Sequence, residues 1–268
     1  MSGDIGFIGA GKMAEALIGG LIAKNVFTKD KIIACAPSEK TRKHIEETYG
    51  VKMFEKASDV VSKTDLIVLA VKPKSVPALF NEEGLKIGKG KTLISIVAGL
   101  SLSKMNSYVP DAKTIRVMPN HCCMVLEGAM GFTCDTSVSP SEKEEIGSIL
   151  SSVGLAVEVP ESQMDAVTGI AGSSPAFMYM VIDAMADAGV LNGLTRDQAI
   201  KLAAQSMLGS AKMVLETGKH PDQLRDEVCS PGGTTIVGVK ILEDMGLRSA
   251  VSSAVDGTIA RSAEMSKE

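Results

Sequence analysis

The chain has 268 residues, of which 45% are hydrophobic and 22% charged, and its formal net charge is −4. This length allows two domains, and the composition is typical of a soluble globular protein with a substantial core. The mild negative charge excludes a basic surface for nucleic acid or membranes, and no apolar run reaches the ~20 residues of a membrane span. Because the N-terminus lacks a charged-then-apolar leader, we expect a cytoplasmic protein.

The cysteines and histidines do not have the sequence spacing that is typical of metal ligands. The five cysteines include no C-x-x-C pair, and the three histidines, His44, His121 and His220, lie far apart in the sequence. We therefore expect reduced, mostly buried thiols and no bound metal ion.

The first fifteen residues contain the clearest local motif. Ile5, Phe7 and Ile8 form a short apolar run that predicts a strand buried on both faces of a parallel sheet. A G-x-G-x-x-A sequence follows at residues 9–14 and opens a helix predicted to run to Lys24. In such a loop the first glycine permits a tight turn, and the second lets the backbone approach a pyrophosphate. The motif predicts dinucleotide binding, with a purely structural turn as the alternative.

Strand-like runs alternate with helical segments through the first 160 residues. The predicted strands are 5–8, 31–36, 51–54, 65–71, 92–97, 114–118, 128–134 and 155–159, and the predicted helices between them include 14–24, 38–49, 57–63 and 141–153. This alternation predicts an α/β domain over residues 1–160, with a doubly wound, Rossmann-type parallel sheet. Ligands of such sheets lie beyond the carboxyl ends of the strands, here residues 9–11, 36–38, 70–73 and 97–99.

Past about Pro160 the strand-like runs end. Helices are predicted over 163–188, 195–217, 221–228, 234–245 and 248–266, which makes residues 161–268 an all-helical domain. Thr195 and Gln198 form a capping box, and Gly189 and Gly218 are the expected helix stops. Apolar side chains on several faces, among them Met178, Met180, Val181, Ile182 and Met185, predict a dimer interface, with a monomeric bundle core as the alternative.

The end of the second strand bears on the choice of cofactor. NAD sites place an acidic residue there to bind the ribose hydroxyls, whereas this chain has Ala36-Pro37-Ser38 followed by Lys40 and Arg42. Small, hydroxyl and basic groups suit a 2′-phosphate, so NADPH is favoured. NADH stays open because Glu39 is adjacent.

A second unusual segment, Ser230-Pro231-Gly232-Gly233-Thr234-Thr235, precedes an apolar helix. Glycines and hydroxyls at a helix start supply several hydrogen-bond donors, which predicts a site for a small carboxylate; a plain cap would need only Ser or Thr. Upstream, residues 168–177 place Gly, Ser and Pro175 inside a helical pattern. They predict a kink or break, with close helix contact through small residues as the alternative.

Over essentially its whole length the sequence resembles the pyrroline-5-carboxylate reductases. The resemblance rests on residues 6–14, 70–73, 117–120, 165–177 and 230–236, the last of which is the family signature. It implies NAD(P)H-dependent reduction of 1-pyrroline-5-carboxylate to L-proline, the last step of proline biosynthesis. The resemblance also implies a homodimer interlocked through a helical dimerisation domain, and further assembly into a pentamer of dimers.

Carried over position by position, the resemblance implies a role for each matching residue. The implied cofactor-binding residues are Ile8, Gly9, Ala10, Gly11, Lys12 and Met13 at the pyrophosphate, Ala36 and Ser38 at the adenosine ribose, and Ala70, Val71, Lys72, Pro73, Ala98 and Asn120 toward the nicotinamide. The implied substrate-binding residues are Glu161, Thr234 and Thr235, with Ser230, Gly232 and Gly233 shaping the carboxylate site. Thr168 is implied as the catalytic residue near the ring nitrogen.

The sequence departs from the family pattern at Ala57, at His121-Cys122-Cys123 and at residues 171–175. These departures bear on cofactor preference and affinity more than on the reaction.

A β-hydroxyacid dehydrogenase, the nearest alternative enzyme, needs a lysine on the long interdomain helix, and residues 165–188 contain none. A nucleotide-sensing regulator is the alternative from another class, and it would have no need of the carboxylate site.

Overall fold

The computed structural model describes residues 3–265. Its strands are β1 (Ile5–Ile8), β2 (Ile32–Cys35), β3 (Lys52–Phe54), β4 (Leu66–Leu69), β5 (Thr92–Ser95), β6 (Lys113–Met118), β7 (Gly128–Cys134) and β8 (Gly154–Glu158). They form one sheet in the order β3-β2-β1-β4-β5-β6-β7-β8, in which β1 pairs in parallel with both β2 and β4. The predicted doubly wound topology is confirmed, with the strand order reversing beside β1.

One pairing differs from an all-parallel sheet. β7 runs antiparallel to β6, with Ile115 opposite Cys134, whereas β8 is parallel to β7. Residues 119–127 connect β6 to β7, and this is shorter than the dozen or so residues that a parallel crossover needs. The short connection therefore explains the direction of β7.

The helices are α1 (Lys12–Ala23), α2 (Glu39–Tyr49), α3 (Ala57–Val61), α4 (Leu102–Tyr108), α5 (Pro140–Leu150), α6 (Met164–Val167), α7 (Ser174–Leu191), α8 (Arg196–Thr217), α9 (Pro221–Glu227), α10 (Thr234–Asp244) and α11 (Leu247–Met265). The Ser38 side chain caps α2, Gly50 ends it with φ of 67°, and the capping box of Thr195 with Gln198 begins α8. The capping box was predicted; α4, which begins after the capping residue Ser101, was not.

The central strands of the sheet are buried on both faces. Successive side chains of β1 point to opposite sides, so Phe7 belongs to one core cluster with Ile18 and Ile45, while Ile8 belongs to the other with Leu69 and Phe80. Burial on both sides explains why the strands are continuous apolar runs.

The described chain divides into two compact units, with boundaries after Ser173 and after Gly257. The N-terminal unit contains the sheet, α1 to α6 and the end of α11, and the helical unit comprises Ser174–Gly257. Every regular element of the helical unit is a helix, as predicted. The domain boundary at residue 160 stays a prediction.

One expectation about the helical sequence is confirmed and another changes. As predicted, the helical pattern over 163–188 is broken near Pro175, into α6, a π-helical turn at Thr168–Gly172, and α7, whose second residue is Pro175. Proline fits there because the first-turn N–H groups have no partner within the helix. Gly189 is not a helix stop, since α7 continues to Leu191 and a Cβ at Gly189 would lie 2.9 Å from the Cβ of Ala199. That glycine allows α7 and α8 to pack closely.

All five cysteines are free. Cys35 and Cys123 are buried, and burial raises the pKa of the Cys35 thiol to about 11. No helix within residues 3–265 is long and apolar enough to cross a membrane.

Candidate active site

The turn after β1 can be made only by glycine. Gly9 has φ of 96°, and a Cβ there would lie 2.6 Å from the carbonyl oxygen of Ala70. The Gly9 N–H donates to the Cys35 carbonyl at 3.0 Å, which joins the turn to β2. The predicted tight turn is therefore present at the switch point of the sheet.

The start of α1 offers unpaired donors to open space. Gly11 precedes the helix without a side-chain cap, and the first helical bond runs from the Glu15 N–H to the Gly11 carbonyl. The N–H groups of the three residues between them have no intrahelical acceptor. A Cβ at Gly11 would meet nothing within 4 Å, so the loop has room for a pyrophosphate. Ile8 and Ala10 are buried and shape the loop through their backbone, whereas Lys12 is exposed.

A buried carboxylate that sequence reasoning missed lies one turn into α1. Glu15 accepts hydrogen bonds from Lys12 at 3.3 Å and Tyr49 at 3.4 Å, and its Oε1 lies 2.7 Å from Nε2 of His44. Burial alone would raise the pKa of Glu15, but the hydrogen bonds with His44 and Lys12 outweigh burial and hold the pKa below its ordinary value. The cluster links α1 to α2.

The loop after β2 is shaped by Arg42. Its Nη1 donates to the carbonyl oxygens of both Ala36 and Pro37 at 2.8 Å. Ser38 is exposed and accepts from the Thr41 N–H, and Lys40 is exposed beside it. No acidic side chain stands at residues 36–38, in agreement with the argument for a 2′-phosphate.

The ends of β4 and β5 meet in one cleft, which we call the β4–β5 cleft. It is lined by Pro73, Ala98, Gly99, Ser101, Tyr108 and Met265, among others. The Ala70 N–H donates to the Ile8 carbonyl at 2.8 Å, Val71 is half-buried, and Lys72 with Pro73 is exposed at the start of a 3₁₀ turn. Ala98 is exposed, and Gly99 has φ of 75°. The structure thus brings the predicted residues of two strand ends together.

Asn120 has a structural role that the sequence did not reveal. Its side chain is buried, its Oδ1 accepts from the N–H groups of Cys122 and Ala129 at 3.2 Å, and its Nδ2 donates to the Ala171 carbonyl at 3.0 Å. These bonds fix the orientation of the amide within the protein, and the predicted contact of Asn120 with the cofactor stays a prediction.

Thr168 begins the π-helical turn. Its hydroxyl donates to the Met164 carbonyl at 3.0 Å, which leaves the oxygen lone pairs as acceptors. Further along the turn, a Cβ at Gly172 would lie 2.8 Å from Cε of Met118. Gly172 therefore allows close packing against β6, and the alternative of close helix–helix contact through this segment stays a prediction.

Glu161 makes its contacts inside the N-terminal unit. Its Oε1 accepts from the Leu102 N–H at 2.7 Å and from Nη1 of Arg116 at 3.3 Å. The Arg116 side chain is only 9% exposed, so the pair is largely buried on that side.

The segment before α10 forms a tight turn at an uncapped helix start within the helical unit. Gly232 has φ of 69°, and the Gly233 N–H donates to the Ser230 carbonyl at 3.0 Å. That bond removes the Gly233 N–H from the set of donors expected to bind substrate. Gly233 begins α10 without a side-chain cap, and Thr234 and Thr235 are exposed. The free donors are therefore the N–H groups of the first turn of α10 and the two threonine hydroxyls.

Within the described residues, no group of three or more His, Cys, Asp or Glu side chains could hold a metal ion.

Comparison with known proteins decides the family. A family model described as pyrroline-5-carboxylate reductase dimerisation matches residues 161–265, and one described as NADP oxidoreductase, coenzyme F420-dependent, matches residues 4–99. The pyrroline-5-carboxylate reductase of Methanosarcina acetivorans is 43% identical over 98% of both chains, and that of Escherichia coli is 40% identical over the whole of both. The chain belongs to the pyrroline-5-carboxylate reductase family.

Solved structures of this family agree with the fold. The pyrroline-5-carboxylate reductase of Coxiella burnetii has a TM-score of 0.91 at 32% identity and covers all of both chains. The Plasmodium falciparum pyrroline carboxylate reductase, solved with NADP bound, has a TM-score of 0.86 at 32% identity, covering 99% of this chain and 98% of its own. As a pyrroline-5-carboxylate reductase, the chain reduces 1-pyrroline-5-carboxylate to L-proline with NAD(P)H, the last step of proline biosynthesis.

The helical unit has the surface of a family member that oligomerises. In the single chain Met180 is 73% exposed and Leu191 is 87% exposed, and Leu215 and Met245 are similarly open to solvent. Several large apolar side chains exposed to this extent mark an interface. Together with the match to the dimerisation family, they show that the pyrroline-5-carboxylate reductase chain forms an oligomer and argue against the monomeric bundle.

Proposed function

We propose that the N-terminal unit holds NADPH and that residues 230–235 of the helical unit hold the carboxylate of 1-pyrroline-5-carboxylate. The uncapped start of α10 after the left-handed Gly232 carries the second half of this proposal. A helix start with free N–H groups, two hydroxyls and no charged side chain in the first turn attracts a small anion.

The cofactor site follows four strand ends, those of β1, β2, β4 and β5. The pyrophosphate would be held by the residues of the glycine loop, Ile8, Gly9, Ala10, Gly11, Lys12 and Met13. Ala36 and Ser38 would meet the adenosine ribose, and Ala70, Val71, Lys72, Pro73 and Ala98 would line the nicotinamide end. When bound, NADPH supplies the hydride that reduces C5 of the substrate ring.

The loop after β2 supports a preference for NADPH over NADH. The exposed Ser38 hydroxyl and Lys40 can meet a 2′-phosphate, and the Arg42 guanidinium adds positive charge while it holds the loop carbonyls. A ribose without the phosphate would find no carboxylate at residues 36–38 to bind its hydroxyls.

The protein's part in the reaction is chiefly positioning. Thr234 and Thr235 would bind the substrate carboxylate, with Ser230, Gly232 and Gly233 setting the shape of the turn. Because its hydroxyl already donates to Met164, Thr168 would accept a hydrogen bond from the protonated ring nitrogen. Protonation makes the imine electrophilic, and the product is a secondary amine, so no strong acid is required.

For assembly, we propose a homodimer formed through the helical unit and a pentamer of dimers beyond it. The exposed apolar residues of α7, α8 and α10 support the dimer. The cytoplasmic location stays a prediction from the sequence.

The carboxylate site is tested by comparing L-proline with L-prolinamide as inhibitors. The two ligands share the ring, but the amide lacks the negative charge that the start of α10 would bind. Proline should inhibit and prolinamide should not, and Gly232→Val should weaken inhibition by proline while NADPH binds as before. Equal inhibition by both ligands would contradict the proposed carboxylate site.

A further inference from the structure

Asn120 joins two segments of the N-terminal unit through one buried amide. It lies two residues after β6 and is 6% exposed. Its Oδ1 accepts from the N–H groups of Cys122 and Ala129 at 3.2 Å, and its Nδ2 donates to the Ala171 carbonyl at 3.0 Å. The oxygen therefore holds the connection between β6 and β7, while the nitrogen holds the π-helical turn, 51 residues further along the chain.

The Ala171 carbonyl lacks its usual donor because of Pro175. In a regular α-helix the carbonyl of residue 171 accepts from the N–H of residue 175, but proline has no N–H. The π-type bond of the turn runs from the Ser173 N–H to the Thr168 carbonyl at 3.0 Å and does not involve Ala171. The Asn120 amide thus supplies the hydrogen bond that the helical backbone cannot.

The turn that this amide holds carries Thr168. Thr168 is the first residue of the turn, it is half-buried, and its hydroxyl donates to the Met164 carbonyl at 3.0 Å. Packing fixes the start of the same turn, because a Cβ at Gly131 of β7 would lie 2.6 Å from Cγ2 of Val167. Contact with the sheet at one end and the Asn120 amide at the other therefore determine where the Thr168 hydroxyl lies. Single π-helical turns are frequent at functional sites.

We propose that Asn120 is a positioning residue for Thr168. Its amide holds the π-helical turn against the connection between β6 and β7, so that the lone pairs of the Thr168 hydroxyl keep the direction of the substrate's ring nitrogen. Asn120 acts through Thr168 in this reaction, and the inference rests on the proposed role of that threonine.

Asn120→Asp tests the donor alone. An ionised carboxylate still accepts from the N–H groups of Cys122 and Ala129, but it cannot donate to the Ala171 carbonyl. kcat should fall about tenfold, the size expected when one hydrogen bond is lost and a polar group is left unpaired. The KM for pyrroline-5-carboxylate and the Kd of NADPH should stay within about twofold, because no ligand contact is removed. If Asn120→Asp fails to fold, the uncharged Asn120→Ala carries the comparison.

Asn192→Asp is the matched control. The Asn192 amide also donates to a helical carbonyl, that of Ala188 at 2.8 Å, but it lies on the surface of the helical unit. The variant should leave kcat, the KM for pyrroline-5-carboxylate and the Kd of NADPH unchanged.

A double variant separates positioning from general damage. Asn120→Asp combined with Thr168→Ala should be no slower than Thr168→Ala alone, because the two changes act on one hydroxyl. A double variant that is clearly slower would overturn the proposal, since the loss would then extend beyond Thr168.

Two further results would also overturn it. One is a normal kcat in Asn120→Asp while Thr168→Ala is slow, which would leave the role of Thr168 intact. The other is a weaker Kd for NADPH with an unchanged kcat at saturating NADPH, which would make Asn120 a cofactor contact. A normal kcat in Thr168→Ala would contradict the proposed role of Thr168 as well, so the failure of the proposed function can be told apart from the failure of this inference.

Discussion

The Thr235→Ala variant removes one hydroxyl from the first turn of α10. Within the described residues this hydroxyl has no hydrogen-bond partner, and it is not the cap of the helix, which begins after Gly233. Alanine also has the higher helix propensity, so the fold should not be weakened. If the hydroxyl binds the substrate carboxylate, its loss should cost about 1.5–3 kcal/mol, or about ten- to a hundredfold in kcat/KM.

The loss of affinity should appear only in the constants for the substrate and for proline. The KM for pyrroline-5-carboxylate should rise and inhibition by proline should weaken, while the Kd of NADPH stays nearly unchanged. Ser210→Ala is a matched control, because it removes an exposed hydroxyl that donates to the Ser206 carbonyl within α8. Normal pyrroline-5-carboxylate kinetics with impaired NADPH binding would refute the reasoning and assign the segment to the cofactor or to folding.

Four further predictions concern catalysis, cofactor, assembly and pH. Thr168→Ala should lower kcat more than it raises the KM for pyrroline-5-carboxylate, because its proposed partner is the ring nitrogen; a change in KM alone would contradict this. Ser38→Asp should shift the kcat/KM ratio toward NADH by repelling the 2′-phosphate, and a wild type that already prefers NADH would contradict the reading of that loop. Met180→Asp should dissociate or unfold the oligomer, seen by sedimentation, because an unpaired charge would be buried. Hydrogen bonds from Lys113 and Ser139 lower the pKa of Glu142 from 4.5 to about 2, so its stabilisation is present above pH 4.5 and is lost as the pH falls toward 2. Glu142→Gln should therefore lower Tm modestly at neutral pH and have no effect near pH 2, and a Tm difference that persists there would contradict the assignment.

The parts of the fold that follow from local chemistry were predictable. β1 is an apolar run because both of its faces are buried, and Gly9 is required because the turn after β1 passes within contact distance of Ala70. Ser38 and Thr195 were recognisable as caps because capping depends on residues three positions apart.

The parts that depend on distant contacts were not predictable. Nothing local in the sequence shows that Leu102 and Arg116, 59 and 45 residues away, converge on the carboxylate of Glu161. In the same way Asn120 follows a strand end, as a cofactor ligand would, but its amide is used by Ala129 and Ala171. Polar residues at strand ends can serve the scaffold as well as the ligand, and the sequence does not distinguish the two uses.

The most direct test of the central claim is NADPH oxidation by the purified protein with and without 1-pyrroline-5-carboxylate, followed by measurement of L-proline. Oxidation should depend on pyrroline-5-carboxylate and yield one proline for each NADPH consumed. A protein that binds NADPH but shows no pyrroline-5-carboxylate-dependent oxidation would contradict that claim.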